Sequence, residues 1–128
     1  MPLKTILSYS PSFNSTKRRK KKIKFIIFHY TGMKKESAAI NKLTNIQFEV
    51  SSHYLIKKSG EIIKMVPDLY IAWHAGKSSW QNYKSLNKDS IGVEITNPGH
   101  EFNYNKFSKK QIISLLKLSK FLIKKYKI

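Results

Sequence analysis

The chain has 128 residues, no cysteine, and 25 Lys and Arg against 7 Asp and Glu, for a formal net charge of +18. That length supports one domain with a single core, and the missing thiols exclude disulfides, thiolate metal sites and a Cys nucleophile. A hydrophobic content of 41% argues against disorder, and no run approaches the roughly 20 apolar residues of a membrane span. The charge favours polyanionic partners such as nucleic acid, an anionic surface or cell-wall polymer. Its lysines, however, are spread among Asn and Ile with no nucleic-acid motif to accompany them, so nucleic acid is not the expected partner. Met1 to Leu7 has no signal-peptide core, and the expected location is the cytoplasm, with the periplasm or cell envelope as the alternative.

Residues 1–16, rich in Ser, Pro and Asn, read as a surface lead-in, and Lys17 to Lys22 (KRRKKK) as a solvated loop. Residues 1–22 thus precede a domain at 23–128. Ile23 to Thr31 (IKFIIFHYT) reads as a strand buried on both faces, delivering His29 to a turn at Gly32. Glu36 to Leu43 is a short helix candidate. Phe48 to Lys57 reads as a second strand, with His53 and Leu55 on one face and Tyr54 and Ile56 on the other. Lys58-Ser59-Gly60 is a hairpin turn, and Glu61 to Val66 returns as a third strand that Pro67 ends.

Tyr70 to Tyr83, with AWHAG at 72–76, has no clean period and reads as a functional loop. Asp89 to Thr96 (DSIGVEIT) is a fourth strand, with Ile91, Val93 and Ile95 on one face and Gly92, Glu94 and Thr96 on the other. After a break at Asn97-Pro98-Gly99 and the loop HEFNYNKF, Ser108 and Gln111 match a capping box. Ile112, Leu115, Leu116, Leu118, Leu122 and Ile123 then give an amphipathic helix expected to pack on the sheet.

Two residues stand out chemically. His29 ends an apolar strand, and such a strand holds an imidazole rigidly enough to ligate a metal. Glu94 lies inside another, where a carboxylate is costly to bury unless it is paired or needed. Gly92 on the same face leaves room for something to approach. If His29 holds a metal, Glu94 on a neighbouring strand is placed to act as general base on water. His53, His74 and His100 complete a set that suits a nitrogen and oxygen site, for which zinc is the commonest metal. No close-spaced His pair such as H-E-x-x-H is present.

FHYTG at 28–32, VSSHYLIKKSGEI at 50–62, AWHAG at 72–76 and DSIGVEITNPGHEF at 89–102 occur in an order and spacing that resemble the zinc-dependent N-acetylmuramoyl-L-alanine amidases. The likeness is to their type-2 branch, related to peptidoglycan recognition proteins. It implies an α/β fold, a central mixed β-sheet flanked by α-helices, acting on peptidoglycan or muropeptides at the muramoyl–alanine amide. By motif it makes His29 a zinc ligand and Glu94 the acid that activates water. Tyr30, Trp73 and His74 become substrate-binding residues, and His53 a structural histidine. The family pattern continues into a segment like GHxDIAPxRKxDPG, which carries two further zinc ligands and an oxyanion-steadying Lys. Residues 1–128 contain no such segment. The expectation is an amidase domain incomplete at its C-terminus. The alternatives are a non-catalytic peptidoglycan-binding module and a basic nucleic-acid-binding domain.

Overall fold

A computed structural model describes residues 3–76, 78–103 and 105–128. Its centre is a five-stranded mixed sheet built from β1 (Ile6–Leu7), β3 (Phe25–Tyr30), β4 (Tyr54–Ile56), β5 (Ile62–Lys64) and β9 (Ser90–Ile95), in the order β1-β5-β4-β9-β3. The β4–β5 hairpin is antiparallel; β1 on β5, β4 on β9 and β9 on β3 are parallel. β2 (Phe13–Lys17) pairs antiparallel with β6 (Tyr70–Ala72), and β7 (Ser79–Trp80) with β8 (Tyr83–Lys84). Gly60, at φ +88, makes the hairpin turn, donating its N–H to the Lys57 carbonyl.

One helix lies on each face, so the expected α/β architecture is present. α1 (Glu36–Leu43) supplies Leu43 to a small core with Leu55, Ile63 and Met65. α2 (Lys109–Tyr126) covers the other face, where Leu118, Leu122 and Tyr126 meet Tyr54, Ile56, Ile91, Val93 and Ile95. The Ser108–Gln111 capping box is formed in both directions, and the Gln111 amide also donates to the Thr96 carbonyl at 2.8 Å. Helix start and strand end are thereby tied together. Among the described residues no helix is long and apolar enough to cross a membrane.

Four expectations need correction. β3 is an edge strand rather than one buried on both faces: Phe28 and Tyr30 stay 47% and 48% exposed, because α2 sits over β4 and β9 and stops short of them. The second strand is only Tyr54–Ile56. Before it, Ile46–Phe48 forms a 3-10 turn capped by Asn45; Ser52 and His53 bond through their side chains to Gly92, and the His53 backbone pairs with Gly92 and Met65. The apolar positions of α2 form two stripes, and only Leu115, Leu118, Leu122 and Tyr126 turn to the sheet; Ile112, Leu116 and Ile123 are exposed.

The lead-in, finally, is knitted into the fold. It contributes β1 and β2, and Arg18 of the supposedly solvated KRRKKK run is buried. The Arg18 guanidinium donates to the carbonyls of Asp68, Asn87 and Lys88. Burial lowers its pKa to about 10, which still leaves it charged at neutral pH. Of the loops expected to flank the site, Lys77 and Tyr104 lie outside the described residues.

Candidate active site

β3 and β9 run parallel with His29 directly opposite Glu94 and Ile27 opposite Gly92. Side chains in register on adjacent strands share a face, so the imidazole and the carboxylate stand side by side on the sheet face turned away from α2. Glu94 has Leu55 of β4 on its other flank. It is 9% exposed, and its Oε2 has no hydrogen-bond partner among the described residues. Burial pushes its pKa up to about 7, against a smaller opposing pull from Lys42. A carboxyl poised there can hold or release a proton near neutrality.

His74 joins the pair from the loop after β6. Its Nδ1 lies 2.9 Å from His29 Nε2, and its Nε2 lies 3.1 Å from Ser90 Oγ. Gly92 makes this possible: a Cβ at that position would sit 2.4 Å from the His74 Cγ. The space expected above Gly92 is therefore filled by the protein's own imidazole. Burial lowers the pKa of both His29 and His74, which favours the neutral rings, and for His74 the neighbouring imidazoles lower it further. The loop is pinned from below. Asn87 Oδ1 accepts from the backbone N–H of His74 and of Ala75 at 3.2 and 2.9 Å, and Arg18 holds the Asn87 and Lys88 carbonyls at 3.1 Å.

The other expected residues divide. Trp73 is half-buried and held by reciprocal bonds with Ser51, whose hydroxyl accepts its N–H and whose N–H donates to its carbonyl, both at 3.0 Å. Tyr30 is not in the cluster. Alternation along β3 turns it to the opposite face from His29, where its ring meets Gly99 and lies 6.2 Å from that of His100. His53 is fully buried, accepts the Gly92 N–H on Nδ1 and bonds the Tyr70 carbonyl through Nε2; burial holds its pKa down to about 4. Arg18, Asn87 and Ser90 went unread in the sequence. Arg18 is hidden in a run of like charges, and Asn87 and Ser90 flank Asp89 with no motif of their own.

A neutral imidazole at a strand end, beside an orphaned buried carboxylate, suits a zinc ligand with a base next to it. Catalytic zinc takes three protein ligands, and among the described residues no group of three His, Asp or Glu side chains converges to hold a metal. The described residues thus offer one ligand position of such a site.

The mixed sheet with a helix on each face is the fold of solved peptidoglycan amidases. The N-acetylmuramoyl-L-alanine amidase family model, Amidase_2, matches residues 19–128, and the chain belongs to that family. It is 36% identical over 119 residues to the N-acetylmuramoyl-L-alanine amidase AmiD of Escherichia coli, across 84% of this chain and 42% of that protein. The chain therefore spans less than half the length of that relative. Over 46 residues it is 50% identical to the 1,6-anhydro-N-acetylmuramyl-L-alanine amidase AmpD of Citrobacter freundii, 36% of this chain and 25% of that one. Among solved structures, E. coli AmiD bound to anhydro-N-acetylmuramic acid-L-Ala-D-gamma-Glu-L-Lys superposes with a TM-score of 0.76 at 34% identity, over 84% of this chain and 45% of that one. AmpDh3 of Pseudomonas aeruginosa with an anhydromuramic pentapeptide gives 0.75 at 29%, over 91% and 51%.

Proposed function

We propose that this chain is part of an amidase that hydrolyses the bond between N-acetylmuramic acid and L-alanine in peptidoglycan or its anhydro-muropeptide fragments. The observation that carries the reading is the juxtaposition of His29 and Glu94 in register on β3 and β9, with a carboxyl whose pKa is near the working pH. It agrees with family membership and with the muropeptides bound to the solved relatives.

His29 would hold zinc; among the described residues no second and third ligand converge with it. When bound, zinc supplies positive charge that acidifies water and polarises a carbonyl. Glu94 accepts a proton as water attacks the lactyl carbonyl carbon. As the C–N bond breaks, it returns that proton to the departing alanine amine. Trp73, whose backbone is held by Ser51, would line the groove that receives the glycopeptide. His74 lies below it, against Gly92.

The test is release of free stem peptide from an anhydro-muropeptide by the polypeptide that carries all three ligands, with zinc. Glu94→Gln should lower turnover by about 100-fold or more while muropeptide affinity is kept. Unchanged turnover would remove Glu94 from the chemistry. Affinity without any turnover in the parent would favour the non-catalytic binding module.

A further inference from the structure

The Ser90 hydroxyl has one proton and two neighbours. Its Oγ is 2.6 Å from the Leu86 carbonyl oxygen and 3.1 Å from His74 Nε2. A carbonyl can only accept, so at 2.6 Å the proton lies between Ser90 and Leu86. Turned toward His74, it would leave two oxygen lone pairs facing each other at that separation. Ser90 Oγ therefore accepts from His74, and Nε2 is the protonated nitrogen of that ring. A neutral imidazole carries a single N–H, so Nδ1 of His74 is a bare lone pair. It faces His29 Nε2 at 2.9 Å, which makes Nε2 the donor nitrogen of His29. The one lone pair left to His29 is on Nδ1, and among the described residues no hydrogen bond reaches it.

We propose that Leu86 carbonyl, Ser90, His74 and His29 form a relay that fixes the tautomer of His29 and presents its Nδ1 to the metal. His74 and Ser90 are then positioning residues rather than substrate contacts. Metal-bound histidines generally donate their second N–H to an acceptor that orients the ring and raises its basicity; here the acceptor is another imidazole. The rest of the fold is built to keep that imidazole in place. Gly92 gives it a floor, with no room for a Cβ. Asn87 clamps its backbone and the next, and Arg18 clamps Asn87. The metal-facing half of this inference rests on the amidase reading; the tautomers do not.

The experiment is a long-range ¹H–¹⁵N correlation spectrum of the imidazoles, recorded with a chelator in the uniformly labelled 128-residue chain and with zinc chloride in the labelled polypeptide that carries all three ligands. Without metal, His29 and His74 should each show a protonated Nε2 and a bare Nδ1. A proton on Nδ1 of either ring overturns the relay, whatever zinc does. Ser90→Ala should return His74 to a mixture of tautomers and shift the His29 nitrogens with it, at unchanged backbone spectrum elsewhere. A spectrum identical to wild type would show that Ser90 sets nothing. The wild-type spectrum decides by itself if the variant does not fold. Added zinc should shift or broaden Nδ1 of His29. An effect on Nε2 instead, or none on His29, overturns the metal-facing role while leaving the hydrogen-bond order standing.

Discussion

Glu94→Gln changes one proton-binding group and almost no volume, so its effect on stability isolates the cost of an ionised Glu94. The folded protein holds that carboxyl at a pKa of about 7 against an ordinary 4.5. Below pH 4.5 folded and unfolded chains both carry the proton, and Glu94 contributes no pH dependence. Between 4.5 and 7 the unfolded chain ionises while the folded one stays neutral, so stability falls as pH rises; above 7 the loss is complete. At about 1.4 kcal/mol for each pH interval, the total is about 3 kcal/mol. Because desolvation dominates, no buried partner is abandoned when the charge is removed.

Urea unfolding of both proteins from pH 4 to 8.5, with chelator present, should therefore give equal stabilities at pH 4. At pH 8 the Gln variant should be the more stable by about 3 kcal/mol. The histidines titrate in both proteins and cancel in the difference. Parallel pH profiles, or a variant less stable at pH 8, would refute the argument that this carboxyl is buried without a partner.

Two further changes probe what surrounds it. Gly92→Ala places a Cβ 2.4 Å from His74 Cγ. Carbon atoms need about 3.5 Å, so the ring must shift by about 1 Å and loosen its bonds to His29 and Ser90. A loss of about 1–3 kcal/mol is expected in urea unfolding, and an unchanged midpoint would mean that the ring is not seated there. Tyr126→Phe leaves Asp68 Oδ2 with only Lys125, at 3.8 Å, in place of the phenol. That should cost about 1–3 kcal/mol, seen equally by helical circular dichroism and by tyrosine fluorescence if α2 unfolds with the sheet.

The fold was legible where pattern and burial agree. DSIGVEIT alternates cleanly because β9 is central, its one face sealed by α2 and its other by α1 and the site loop. The S-x-x-Q cap announced α2 because both halves of the box are formed. IKFIIFHYT misled for a physical reason: an apolar run states that a segment is hydrophobic, not how many neighbours cover it. β3 has its covering partner on one side only. The pairing of His29 with Glu94 could be anticipated from their strands, and alternation along β3 puts Tyr30 on the other face, against Gly99. Arg18 could not be picked out of KRRKKK, since burial of one guanidinium depends on carbonyls 50 to 70 residues away.

Sheet order also divides the labour between the two groups of the pair. His29 is on the edge strand, where one flank is open and a ligand can reach the ring. Glu94 is one strand further in, between His29 and Leu55, where burial desolvates the carboxyl and it keeps its proton to about pH 7. Exchange the two positions and each would fail. In the proposed roles, a carboxylate at the edge would be solvated and too weak a base, and an imidazole one strand in would be neutral but out of reach of a metal. The same apolar residues that make β9 a core strand thus raise the proton affinity of the carboxyl that it carries, so that packing on one face and proton affinity on the other are set by a single element.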